Sequence, residues 1–127
     1  MKKDFSKSWV ASKQPRKQRK YRFNAPLHIK SRFLRVNLSK ELRKKYERKC
    51  IRVRKGDKVK ILRGNYKKHV GAVEKVDLNR GFVYIDKVEH LKKDGSKVQR
   101  PVHPSNLQII DINTSDKRRF KREKKSS

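Results

Sequence analysis

Between Ile51 and Ile112 apolar residues alternate with lysine and arginine, and that period dictates the kind of fold available to the chain. "CIRVRKGD" sets Ile51 and Val53 against arginines, and "KVKIL" sets Val59 and Ile61 against lysines. A period of two marks a strand with one buried face. "HVGAVEKV" and "GFVYID" follow, joined by "DLNRG", whose Asn79 and Gly81 suit a turn. "VEHLKKDGSKVQRPV" then brackets Asp94-Gly95 with two strand-like arms, a strong hairpin signal. "NLQIIDI" closes the set. Five or six short strands with tight turns and no helix among them predict a mainly β fold, a small antiparallel barrel.

The rest of the chain is too polar to extend that core. Only 32% of the 127 residues are hydrophobic while 41% are charged, so burial is affordable over part of the length alone. Residues 1–50 hold eighteen Lys and Arg against three acids, and residues 113–127 hold seven against two. The formal charge of +28 disfavours a compact isolated chain and calls for a polyanion, nucleic acid before a membrane surface. The basic runs lack the apolar face of an interfacial helix, and no apolar run reaches membrane-spanning or signal-peptide character. Cys50 is the single cysteine, which excludes an internal disulfide and fits a reduced thiol.

The N-terminal half carries its own signals. "SKQPRKQRKYRFN" masses basic residues before Tyr21 and Phe23, a composition for lying along phosphates and stacking on accessible bases. In free solution such an arm is expected to be disordered and to order on its partner. Trp9, alone in the arm, either anchors it in a crevice or is disordered with it. Pro26 can open a short helix through "PLHIKSRFL". In "LSKELRKKYERK", Ser39 is the expected N-cap and Glu41 complements the helix dipole, with Leu38, Leu42 and Tyr46 on one face.

Catalysis finds no support in these residues. Gly56 and Gly64 have seven residues between them and Asn65-Tyr66 follows, whereas a P-loop needs four intervening residues and then Lys-Ser/Thr. His28, His69, His90 and His103 have no metal-ligand spacing, so neither metal nor cofactor is expected. In "HPSNL" the two-residue offset of His103 and Ser105 supplies no base–orienter chain. The segment reads as a turn made rigid by Pro104, with His103 and Asn106 offering hydrogen bonds.

Gly56, Asp57, Val59 and Ile61, then Gly64, Lys67, Gly71 and Val73, resemble a KOW motif. With "KQPRKQRKYRFNAPLHIKSRF", "LSKELRKKY" and "HPSNL" in this order, residues 13–119 resemble the universal KOW-domain family of the large ribosomal subunit. That family is number twenty-four in the universal scheme and twenty-six in the eukaryotic one. The N-terminal wording is of the archaeal and eukaryotic type and leans archaeal. The resemblance implies an SH3-like barrel that binds large-subunit ribosomal RNA near the peptide tunnel exit, supports subunit assembly and works in the cytoplasm, in the ribosome. It implies neighbouring large-subunit ribosomal proteins as further partners, and no small-molecule substrate. The family's run "K-G-x-x-G" has Lys68 in its glycine position here, so a locally reshaped loop is expected. Two other classes share features: a transcription elongation module carries the motif, and a chromatin-compacting protein carries the charge.

The expected organisation is a basic RNA-binding extension (1–24), a short helical segment (25–50), the SH3-like KOW barrel (51–112) and a basic tail (113–127). Candidate RNA contacts on the extension are Lys13, Arg16, Lys17, Arg19, Lys20, Tyr21 and Arg22. The helical segment adds His28, Lys30 and Arg32. The barrel adds Arg52, Arg54, Lys55, Arg63, Lys67, Lys68, His69, His103 and Asn106, and the tail adds Arg118 and Arg119.

Overall fold

The computed structural model describes residues 5–120 and leaves the last seven residues of the expected basic tail, 121–127, outside the description. The chain is mainly β. Seven strands form one sheet in the order β2-β1-β7-β3-β4-β5-β6. They are β1 (Arg35–Leu38), β2 (Cys50–Arg52), β3 (Lys58–Ile61), β4 (Val70–Asp77), β5 (Phe82–Leu91), β6 (Lys97–Val102) and β7 (Leu107–Asp111). Three helices precede most of it: α1 (Pro15–Asn24), α2 (Leu27–Lys30) and α3 (Lys40–Tyr46). Short 3-10 turns lie at Ser31–Leu34, Pro104–Asn106 and Lys117–Phe120.

The alternation works as the sequence predicts. Val59 and Ile61 of β3, Val73 of β4, Val83, Ile85 and Val88 of β5, and Leu107 and Ile109 of β7 all enter one core. The lysines and arginines between them face outward, and each buried aliphatic chain contributes roughly 1.5–3 kcal/mol. Gly71 of β4 lets that packing come close. A Cβ there would lie 3.0 Å from the Ile85 side chain and 3.2 Å from the Asp86 carbonyl.

Three features depart from expectation. First, the sheet is open rather than a closed barrel, with β2 and β6 as its edges. Second, its strands are not all antiparallel: β1 pairs in parallel with β7, Asn37 opposite Gln108 and Leu38 opposite Ile109. Third, the segment expected to hold two short helices contributes β1 between them, whose Val36 and Leu38 are buried while Arg35 and Asn37 are exposed. Packing therefore joins Leu34, Val36 and Leu38 to the core. Leu38 belongs to this strand instead of the face of α3, because Ser39 is the cap. Ser39 sits in extended geometry and its hydroxyl accepts from the Leu42 N–H, so the helix begins only after it.

The arm is helical over part of its length. From Pro15, at the first helical position, it forms α1, and none of its residues is buried. Trp9 stacks on Tyr21 with ring centroids 4.1 Å apart, and Phe5 lies 5.1 Å from the same ring. Tyr21 in turn meets the edge of Phe33, so an aromatic ladder carries the arm to the 3-10 turn that leads into β1.

One charged pair is interior. Asp57, 0% exposed, follows Gly56 (φ +92°) in the turn into β3. Its carboxylate accepts the Arg54 N–H at 2.9 Å and the Asn113 N–H at 3.0 Å. The Arg119 guanidinium forks onto both carboxylate oxygens, Nη1 at 2.7 Å from Oδ1, and Nη2 also donates to the Arg52 carbonyl at 2.8 Å. The sequence places Arg119 on the RNA side; its guanidinium is instead engaged inside, because a buried carboxylate needs a bidentate partner. Asp57→Ala leaves that guanidinium buried and unpaired, and is expected to cost about 3 kcal/mol in urea unfolding. Asp94→Ala, on the exposed hairpin turn, is expected to change stability by less than about 0.5 kcal/mol.

Candidate nucleic-acid interface

Three elements carry most of the candidate contacts, and the first two of them are cationic. On α1, Arg16, Lys17, Arg19, Lys20 and Arg22 are exposed, as is Lys13 just before it. Like charges three and four residues apart destabilise an isolated helix, and the first turn holds no acid to offset them. An outside anion would relieve that repulsion. Tyr21 is half-buried and one ring face is taken by Trp9, which leaves Phe23 as the exposed aromatic of this helix.

The second element is the loop between β3 and β4. Arg63, Lys67 and Lys68 are exposed and His69 is half-buried. The loop is fastened to β3 by the Lys68 N–H donating to Ile61 at 2.8 Å and the Ile61 N–H donating to His69 at 2.9 Å. It is fastened to β5 by the Tyr66 hydroxyl donating to the Glu89 carbonyl and His69 Nε2 donating to the Asp86 carbonyl at 3.0 Å. Lys68 has φ +71°. The lysine thus adopts the left-handed backbone that favours glycine, held there by the bonds on either side.

The third element is the 3-10 turn Pro104–Asn106. Pro104 is buried, and the Asn106 carbonyl accepts the Leu62 N–H at 2.7 Å, which binds this turn to the β3–β4 loop. His103 Nδ1 accepts the Ser105 N–H at 3.2 Å, which leaves Nε2–H as the outward donor. The turn and the loop enclose a cleft of about 150 Å³ lined by Arg63, Asn65, Tyr66, Arg100, His103 and Asn106. A second cleft, of about 200 Å³, shares His103 as a wall and is lined by Arg22, Lys30, Phe33, Leu78, Asn79 and Arg80. Among the described residues no Asp or Glu lines either one.

The structure thus brings Arg63 together with His103 and Asn106, and Arg22 and Lys30 together with His103. His28 and Arg32 are exposed on neighbouring turns. Arg52, Arg54 and Lys55 stand apart, in a broader depression that includes Lys75 and also Glu74. Arg54 is committed to Asp116, whose carboxyl is held below its ordinary range by that guanidinium and then by the Arg118 N–H. Arg118 is exposed beside it, while Arg119 lies inside. Arg80 and Arg100 escape sequence reasoning, since nothing in "DLNRG" or "KVQRPV" tells which face a lone arginine takes. Among the described residues no group of three or more His, Cys, Asp and Glu could hold a metal ion, and no helix is long and apolar enough to cross a membrane.

Residues 12–125 match the family of ribosomal proteins that comprises eukaryotic L26 and archaeal L24. The chain belongs to that family. It is also similar to the large ribosomal subunit protein uL24 of Methanothrix thermoacetophila. The two are 47% identical over 112 residues, covering 88% of this chain and 97% of the relative. As a member of this family the chain is a component of the cytoplasmic ribosome and not an enzyme. The family match takes in α1, the whole sheet and the Arg119 clamp, but begins after Phe5 and Trp9. Lys68→Gly should relieve left-handed strain and stabilise the protein by about 1 kcal/mol in urea unfolding. If Lys68 contacts a phosphate, the same variant lowers the slope of log K against log salt by about 1.

Proposed function

We propose that this ribosomal protein is a structural constituent of the large subunit that binds large-subunit ribosomal RNA. In this reading the rigid β unit docks while α1 threads along the RNA backbone. The observation that carries the reading is the arrangement of cations: two adjoining clefts without a carboxylate among their described walls, beside a helix of five basic residues none of which is buried. Phosphate neutralisation supplies the affinity, and RNA shape supplies the selectivity. The KOW unit is the β3–loop–β4 segment from Gly56 to Val73, and the sheet that coils about one core is an opened relative of an SH3-like barrel. A place near the tunnel exit, contacts with neighbouring ribosomal proteins and a part in subunit assembly complete the proposal; a small-molecule substrate has no role in it.

Sedimentation of lysate in magnesium tests the reading. Co-migration with the large subunit, lost in high salt, is expected; recovery with RNA polymerase or bulk DNA would overturn it. Deleting residues 1–22 stops short of buried Ala25 and should leave the sheet's circular dichroism intact. The truncated chain should show a slope of log K against log salt shallower by at least about 2. An unchanged slope, with normal entry into particles, would remove the arm from the interface.

A further inference from the structure

The 200 Å³ cleft beside His103 combines two properties that a single ligand class satisfies. Its walls include two large apolar side chains left open, Phe33 at 40% and Leu78 at 36% exposure. Lys30 and Arg80 add cationic walls, and His103 adds an imidazole N–H. The Arg22 guanidinium lies 5.9 Å from the Phe33 ring centroid, covering part of that ring. Asn79 adds an amide, which both donates and accepts.

A bare phosphate would use the cations and leave the apolar walls wet. An apolar peptide side chain would use the walls and leave the cations unpaired. A nucleotide presents a flat apolar face and a negative charge on one unit, and unpaired bases are what proteins read in RNA by stacking and edge contacts. The volume suits one base and is far too small for a paired helix.

The walls are fixed before any ligand arrives. Phe33 sits in a turn anchored by Leu34, which is 1% exposed, and by the Ser31 hydroxyl donating to His28 at 2.8 Å. Leu78 and Arg80 sit in the β4–β5 turn, closed by the Gly81 N–H donating to the Asp77 carbonyl at 2.9 Å. The Arg80 N–H donates to the Asp77 side chain at 3.2 Å in the same turn. His103 is held by Ser105 and by the edge of Phe82. A preformed site avoids the ordering cost that a mobile one would incur on binding.

We propose that this cleft takes one unpaired nucleotide of the RNA, its base against Phe33 and Leu78 and its phosphate between Lys30 and Arg80. The proposal rests on the RNA-binding reading above. His103 is shared with the neighbouring cleft of Arg63 and Arg100, so the RNA strand continues over His103 and sets its next phosphate there.

The test uses the full chain bound to large-subunit ribosomal RNA, with binding measured before irradiation. Leu78→p-benzoylphenylalanine should crosslink to one nucleotide that is unpaired in the RNA, and Leu91→p-benzoylphenylalanine, on the exposed β5–β6 hairpin, should not reach that nucleotide. Retained binding without an RNA crosslink from position 78 would overturn the proposal, as would a crosslink from that position to a neighbouring ribosomal protein in assembled subunits. The double variant Leu78→Ser, Arg80→Ala, on an exposed turn, decides independently of the crosslinker. It should bind about tenfold more weakly; binding within twofold of the unaltered chain would sink the idea. Failure of the unaltered chain to bind the RNA at all would instead overturn the RNA-binding reading, and this proposal with it.

Discussion

A carboxylate with no exposure, inside a protein of +28 formal charge, is the constraint on which this architecture turns. Asp57 is held by two backbone N–H groups and by Arg119 from the far end of the chain. The same guanidinium reaches the carbonyl of Arg52, so one side chain ties the end of β2, the start of β3 and the segment after β7. Burial of ions is costly unless each finds its partners; here both carboxylate oxygens and both terminal guanidinium nitrogens do, and Arg119 Nε alone is left without one among the described residues. The turn from β2 into β3 and the C-terminal segment therefore hold each other in place.

Around that clamp the remaining cations face outward, because the strand alternation sends every second residue into the core. Their positions are not random. The β3–β4 loop and the N-terminal helical region each hold their backbone by internal hydrogen bonds and leave most of their cations to solvent. Where acids approach this face they serve the scaffold. The carbonyls of Asp86 and Glu89, not their carboxylates, receive His69 and Tyr66. Net attraction for a polyanion is thus separated from the bonds that maintain the shape.

Much of the β architecture is readable because period two is a local property. The alternation in "KVKIL", the Asp94-Gly95 turn and the Ser39 cap each depend on residues a few places apart. β1 is hidden for the opposite reason. Four residues between two helical patterns become a strand only because β2 and β7 lie on either side of them. Arg119 gives no sign of its interior role, since its partner is 62 positions away and every other residue nearby suggests a solvated tail. The motif residues of the β3–β4 loop are recognisable, and a tightly bonded backbone holds Lys68 in left-handed geometry there. Neither cleft is visible in the sequence, because each is assembled from elements separated by dozens of residues, meeting at His103.

The order of strands bears on how such a chain comes to be folded. β1 reaches its parallel partner only when Gln108 and Ile109 exist, and β7 stands between β1 and β3 in the sheet. The β1–β2 part of the sheet therefore cannot join the rest until nearly all of the chain has been made. Loops that span such separations are slow to close, and the unfinished strands remain exposed meanwhile. The β3–β4–β5–β6 meander and the β1–β2 pair each join strands that are neighbours in sequence. A nascent chain of this protein would hold two incomplete pieces of sheet until its final strand slots between them.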